Sequence, residues 1–299
     1  MRVFVTGASG FIGSAVVPEL LGAGHEVVGL ARSDNSAAAL TAAGAAVHRG
    51  ALDDLDSLRD GAAASDGVIH LAFNHDFADY VGASHMDRRA IETIGAALEN
   101  SGRPFVIASG TLGLPAGRVA TEHDMPAPDS ETPRNAGAQA ALALATRGVR
   151  SSVLRLPPSV HGEGDHGFVP ALVGIARDKG VSGYLGDGST CWPTVHRLDA
   201  ARLFRLALQA PAGTVLHAVA EEGVPIRDIA EVIGRHLNLP SASIPEEEAG
   251  EHFGFLASFI GVDVRASSAV TRKLLDWQPT GPGLIDDLDR GHYFRTPSA

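Results

Sequence analysis

The chain has 299 residues, 44% hydrophobic and 20% charged, with 24 Lys+Arg against 35 Asp+Glu and a formal net charge of -11. A single Cys191 excludes an intrachain disulfide framework and a cysteine-ligated structural zinc, and the acidic balance argues against a nucleic-acid partner. No apolar run reaches the roughly 20 residues of a membrane helix, and the start MRVFVTGASG lacks a secretory leader's apolar stretch, so a globular protein of the reducing cytoplasm is expected.

Short runs rich in Val, Ile, Leu and Phe alternate with amphipathic stretches: Arg2–Thr6, a helix to about Ala23, Glu26–Ala31, then 68–72, 105–109 and 151–156. This is the rhythm of β-α-β units. Strands that are apolar almost throughout predict an α/β fold, a doubly wound parallel sheet covered by helices on both faces. A loop rich in Gly, Pro and Asp leads to Thr132-Pro133, an N-cap with proline at the first helical position, and a helix to about Thr146. Pro157-Pro158 and 159–167 then read as a long loop, the kind of segment in which function concentrates. Beyond it the pattern predicts a smaller α/β cap, with helices near 168–178, 200–209, 226–237 and 267–275 and short strands near 183–186 and 215–219.

The strongest local signal is Thr6-Gly7-Ala8-Ser9-Gly10-Phe11-Ile12-Gly13, between the first strand and the first helix. Gly7 permits a tight turn, Gly10 lets backbone approach a pyrophosphate, Gly13 lets the helix pack on the strand, and the helix N-terminus supplies amide donors. Where an NAD-binding fold places an acid for the ribose, the second strand ends in Ala31-Arg32-Ser33. Arg32 can fork onto a 2′-phosphate and Ser33 can donate to it, which favours NADP(H) over NAD(H). Asp34 keeps NAD(H) open, and a solvated surface role is the plain alternative for Arg32.

The glycine turn, Leu52-Asp53, His70-Leu71-Ala72, Val195-His196-Arg197-Leu198-Asp199 and the tail Leu274-Leu275-Asp276-Trp277-Gln278-Pro279 resemble the extended or atypical short-chain dehydrogenase/reductase superfamily, of the epimerase/dehydratase type, over essentially the whole chain. The resemblance implies a Rossmann-type cofactor domain, residues 1–156, and a substrate cap, residues 157–299, interleaved with it without a clean linker. It also implies that Leu52 and Asp53 flank the adenine, that Leu71, Ala72 and Phe73 line the cofactor ribose, and that Pro157 and Ser159 lie beside the nicotinamide. The superfamily's Tyr-x-x-x-Lys pair is absent: the tyrosines are Tyr80, Tyr184 and Tyr293, and four residues on stand Ser84, Gly188 and Pro297. By alignment the pair's positions fall near Ser130 and Arg134. Arg134 can hold the nicotinamide ribose but, as a guanidinium, does not titrate.

Ser109-Gly110-Thr111 occupies the superfamily's hydroxyl site, where Ser109 or Thr111 can donate to a carbonyl oxygen as charge develops; capping the strand-end turn is the bland role for each. The proton then comes from Tyr80, from His75, His161 or His166, from water, or from a substrate whose own acidic hydroxyl flanks its ketone, such as a phenolic polyketide. The run His161-Gly162-Glu163-Gly164-Asp165-His166 holds metal-ligand residue types, but its glycines and irregular spacing favour a substrate loop. Three functions compete: an NADPH-dependent ketoreductase acting on a small apolar carbonyl substrate, which is favoured; a non-catalytic NADP(H) sensor; and a nucleotide-sugar epimerase or dehydratase. Monomer and homodimer both stay open.

Overall fold

The computed structural model describes residues 1–75, 79–126 and 134–295. In the first half, strands β1 (Arg2–Thr6), β2 (Glu26–Ala31), β3 (Ala46–Arg49), β4 (Gly67–His70), β5 (Pro104–Gly110) and β6 (Arg150–Leu156) alternate with helices α1 (Gly13–Gly22), α2 (Asp34–Ala42), α3 (Leu55–Ala63), α4 (Tyr80–Ala97) and α5 (Arg134–Ala143). The second half holds β7 (Ser159–His161), α6 (Phe168–Lys179), β8 (Ser182–Leu185), β9 (Cys191–His196), α7 (Arg197–Ala207), β10 (Thr214–His217), β11 (Glu221–Pro225), α8 (Ile226–Leu237) and β12 (Ser241–Ile244). Four short helices follow: α9 (Ala249–Phe253), α10 (Ala257–Ile260), α11 (Ala269–Leu275) and α12 (Leu284–Asp289).

Seven strands pair in parallel in the order β10-β6-β5-β4-β1-β2-β3, so the expected doubly wound α/β sheet is present. Alternate residues of β1 feed opposite cores: Val3 and Val5 pack with α1, α2 and α7, whereas Phe4 packs with α3, α4 and α5. Strand order reverses between β1 and β4, and the crevice above that switch is where open α/β sheets take their ligands. Among the described residues no helix is long and apolar enough to cross a membrane.

The second half of the chain departs from the sequence reading in several places. The strand expected near 215–219 is β10, and it belongs to the main sheet, paired with β6 through Thr214↔Ser152 to His217↔Arg155. Segment 159–167 is not loop throughout, because Ser159–His161 forms β7 on the edge of a three-stranded β11-β9-β7 sheet. The central β9 escaped notice because Pro193 sits inside it, and proline lacks the N–H a ladder needs. The sheet accommodates it with a register shift in β11 between Glu221 and Val224, opposite Pro193, while β7 pairs with Thr194, Val195 and His196 beyond it. Helix α7 begins at Arg197, earlier than expected, because the His196 ring accepts from the Leu198 amide. The strand expected over 68–72 ends at His70, where Leu71 and Ala72 turn to meet the glycine loop. Thr132, Pro133 and Ser130, near which the resemblance puts the tyrosine position, lie outside the described residues.

Candidate active site

The glycine turn is fixed by contacts that leave one side open. Gly7 has φ +65°, and a Cβ there would lie 2.7 Å from the Ala72 nitrogen; one on Gly13 would lie 2.1 Å from the Gly7 oxygen. At Gly10 the sole near neighbour of a Cβ would be that same oxygen at 3.2 Å, and Ser9 and Gly10 are exposed. The amides of Phe11, Ile12 and Gly13 have no acceptor among the described residues, and α1 carries no acid in its first turn. Unsatisfied helix N-terminal amides facing open space above a glycine fit the pyrophosphate of a dinucleotide.

A buried network ties this turn to the next strand. The Thr6 hydroxyl accepts from the Ala72 amide at 3.2 Å and donates to His70 Nδ1 at 2.8 Å, and His70 Nε2 donates to Asp87 Oδ1 on α4 at 3.1 Å. The sequence reading took His70 as a motif residue and missed this network, although the β1–β4 pairing of Thr6 with His70 carries it.

At the end of β2, Arg32 is exposed and forms no hydrogen bond or ion pair with the described residues. Ser33 N-caps α2, accepting from the Ser36 amide at 3.2 Å, with its hydroxyl 3.0 Å from Ser36 Oγ. Asp34 pairs with Arg49 at 2.7 Å. Leu52 packs on the core and Asp53 is exposed, in the turn before α3.

Beyond β4 a second cluster forms. The Arg134 guanidinium lies 4.0 Å from the centroid of the Phe73 ring, its buried Nε without a partner, and the Tyr80 and His75 rings stand 5.9 and 5.1 Å from the same ring. Burial raises the Tyr80 phenol above its ordinary range while the Arg134 charge pulls it back. Burial, Arg134 and then His166 hold His75 below the usual histidine range. His166 in turn stands edge-on to Phe11 at 5.8 Å, so the 162–167 loop reaches the glycine turn.

Thr111, just past β5, is fully buried, and its hydroxyl has no partner among the described residues. Its amide bonds to the Leu156 oxygen at 3.0 Å, next to the buried Pro157, and Ser159 Oγ is likewise buried without a partner. Ser109 lines a small cleft with Asn135, Gln139 and Arg155. His161 is fully buried in β7, Nδ1 2.9 Å from Asp287 Oδ2, with His196 beside it at 5.4 Å and His292 3.7 Å from the same carboxylate. Burial pushes the Asp287 carboxyl up, but His161, His292 and His196 outweigh it and hold it below the usual range. The loop's remaining polar residues diverge: Glu163 pairs with Arg295, and Asp165 accepts from Tyr293 and the Gly167 amide.

The family model for the NAD dependent epimerase/dehydratase family matches residues 3–219. The chain belongs to that family. An uncharacterized protein of Schizosaccharomyces pombe is 53% identical over 98% of this chain and 100% of its own length. A 4-hydroxy-2-methyl-3-oxo-4-farnesyl-3,4-dihydroquinoline-1-oxide ketoreductase of Stigmatella aurantiaca is 26% identical over 76% of this chain and 70% of its own. A dTDP-glucose 4,6-dehydratase of Streptomyces venezuelae, solved as a double mutant with NAD bound, superposes with a TM-score of 0.78 at 20% identity, covering 99% of this chain and 98% of that one, a likeness of fold. The sequence of this chain contains no Tyr-x-x-x-Lys.

Proposed function

We propose that the protein is an NADPH-dependent reductase that transfers hydride to the carbonyl of an apolar, aromatic ketone. The observation that carries the reading is the Thr111 hydroxyl, buried and unpartnered at the carboxyl end of β5, with Ser159 Oγ in the same condition beyond β6. A hydroxyl kept without a partner is free to donate to an oxygen that reaches it as negative charge develops there, where such a donor is worth about 10²–10³ in rate. Bound NADPH would supply the hydride. The unpaired Arg32 at the end of β2 supports the phosphorylated cofactor, since a guanidinium matches a phosphate in two-pronged geometry.

Tyr80 is the favoured proton donor. Its ring stands beside Phe73 under the influence of the Arg134 charge, which stabilises the phenolate left when the proton goes to the new alkoxide; Arg134 itself keeps its charge throughout. His161 is less suited, because one of its nitrogens is committed to Asp287. Leu112, next to Thr111, packs against the apolar cluster that contains Phe168 and Trp192, which supports an apolar, aromatic substrate. The Stigmatella ketoreductase, a distant relative, is in keeping with such a substrate.

The test is loss of nicotinamide absorbance with aromatic and aliphatic ketones, including ketones flanked by a phenol. Turnover is expected with an aromatic ketone, with Thr111→Val lowering kcat about 10²–10³-fold. NADPH binding without reduction of any ketone would refute the reductase and leave the sensor; turnover of a sugar nucleotide without net cofactor consumption would leave the epimerase.

A further inference from the structure

Helices α1 and α7 lie side by side and run in the same direction: Arg205 Nε bonds Glu19 Oε1 at 2.6 Å, and eight residues earlier on both helices the Arg197 guanidinium lies 5.4 Å from the centroid of the Phe11 ring. Two helix N-termini therefore open at the same edge of the sheet, each with its partial positive charge. Phe11 belongs to the glycine turn, between Gly10 and the first amides of α1.

Arg197 forms no hydrogen bond or ion pair with the described residues, although acids outnumber bases in this chain. The carboxylates near it are committed elsewhere: Glu163 to Arg295, Asp165 to Tyr293 and the Gly167 amide, and Asp199 to Arg202 and the amides of Thr280 and Gly281. The loop backbone is shaped around its stem. A Cβ on Gly162, which has φ +139°, would lie 3.1 Å from Arg197 Cγ, and one on Gly164 would lie 3.8 Å from an Arg197 terminal nitrogen. A trough with two glycines along it thus holds a guanidinium that has no partner among the described residues and lies against Phe11 of the glycine turn.

We propose that Arg197 is a pyrophosphate clamp: it reaches from the cap side onto the dinucleotide pyrophosphate held by the glycine turn. The cofactor is then gripped by both halves of the chain, by the amides of Phe11, Ile12 and Gly13 from the main sheet and by a side chain that the sequence places 186 positions later. Phe11 acts as the rest on which the guanidinium stacks. The proposal rests on the dinucleotide reading above and not on the reductase reading.

Calorimetric titration with NADPH and NADH tests it without turnover. Arg197→Gln is expected to weaken both dinucleotides by the same factor, roughly 10- to 100-fold, because the pyrophosphate is common to them. Arg197→Lys should recover part of the affinity, and the thermal midpoint of the ligand-free variants should match that of the parent. Arg32→Ala is the contrast, weakening NADPH while sparing NADH. Unchanged affinity in Arg197→Gln overturns the clamp, as does a loss confined to NADPH, which would move Arg197 to the 2′-phosphate. A parent protein that binds neither dinucleotide overturns the clamp and the cofactor reading together.

Discussion

Replacing Thr6 by valine removes one hydroxyl at nearly constant volume from a residue that is fully buried. Two groups lose their partner: His70 Nδ1, in a side chain 1% exposed, and the partly buried Ala72 amide. A buried polar group left unsatisfied costs about 1–3 kcal/mol, and the amide sits at the low end because water reaches part of its surroundings, so Thr6→Val should lose about 2–4 kcal/mol. The loss also loosens the contact between Gly7 and residues 71–72, so dinucleotide affinity should fall with it. Urea unfolding followed by circular dichroism reads the stability as a lower midpoint with an unchanged slope. Thr6→Ser keeps the hydroxyl and should stay within about 1 kcal/mol of the parent. A Thr6→Val protein within about 0.5 kcal/mol of the parent, or a Thr6→Ser protein as unstable as Thr6→Val, refutes the network as the source of stability.

Gly10→Ala and Gly13→Ala should separate binding from folding. At Gly10 a Cβ meets little protein, so the ligand-free stability should change by about 1 kcal/mol or less while dinucleotide affinity falls at least about tenfold. At Gly13 a Cβ collides with the Gly7 oxygen, so the thermal midpoint should drop as well. Acidification should destabilise the protein through His217, whose Nδ1–H donates to the Ser267 oxygen and whose Nε2 faces the Arg155 guanidinium. Burial, aided by Arg155 and opposed by the Ser267 bond, Glu122 and Asp124, holds its pKa below the usual histidine range. The unfolded chain then binds more protons than the folded one, and stability falls as pH drops through and below that range. His217→Gln should flatten the decline by at most about 1.4 kcal/mol per pH unit, the slope of one proton, in unfolding curves between pH 7 and 5.

What the sequence disclosed follows from the range over which the determining forces act. The β1–turn–α1–β2 unit was legible because strand period, glycine spacing and helix start lie within thirty residues, and each points to the same structure. Strand β9 was not, because Pro193 argues against a central strand and only the offset in β11 makes room for it. The contacts Thr6–His70–Asp87, His161–Asp287 and Arg197–Phe11 join residues far apart in the chain, so a single sequence offers the residue types without their meeting. Thr111 was visible as a hydroxyl just past β5, but that it lacks a partner among the described residues is a property of the packed interior.

The position of β10 also decides how this chain can be divided. Residues 214–217 supply the outermost strand of the main sheet, on the far side of β6, after the chain has formed β7, α6, β8, β9 and α7. A fragment cut at residue 156 would end with the carbonyls and amides of β6 bare along one side, an open template for pairing with another molecule. The first 156 residues are therefore not a self-contained sheet, and truncation at that boundary would replace the four-residue edge strand β10 by the seven-residue β6.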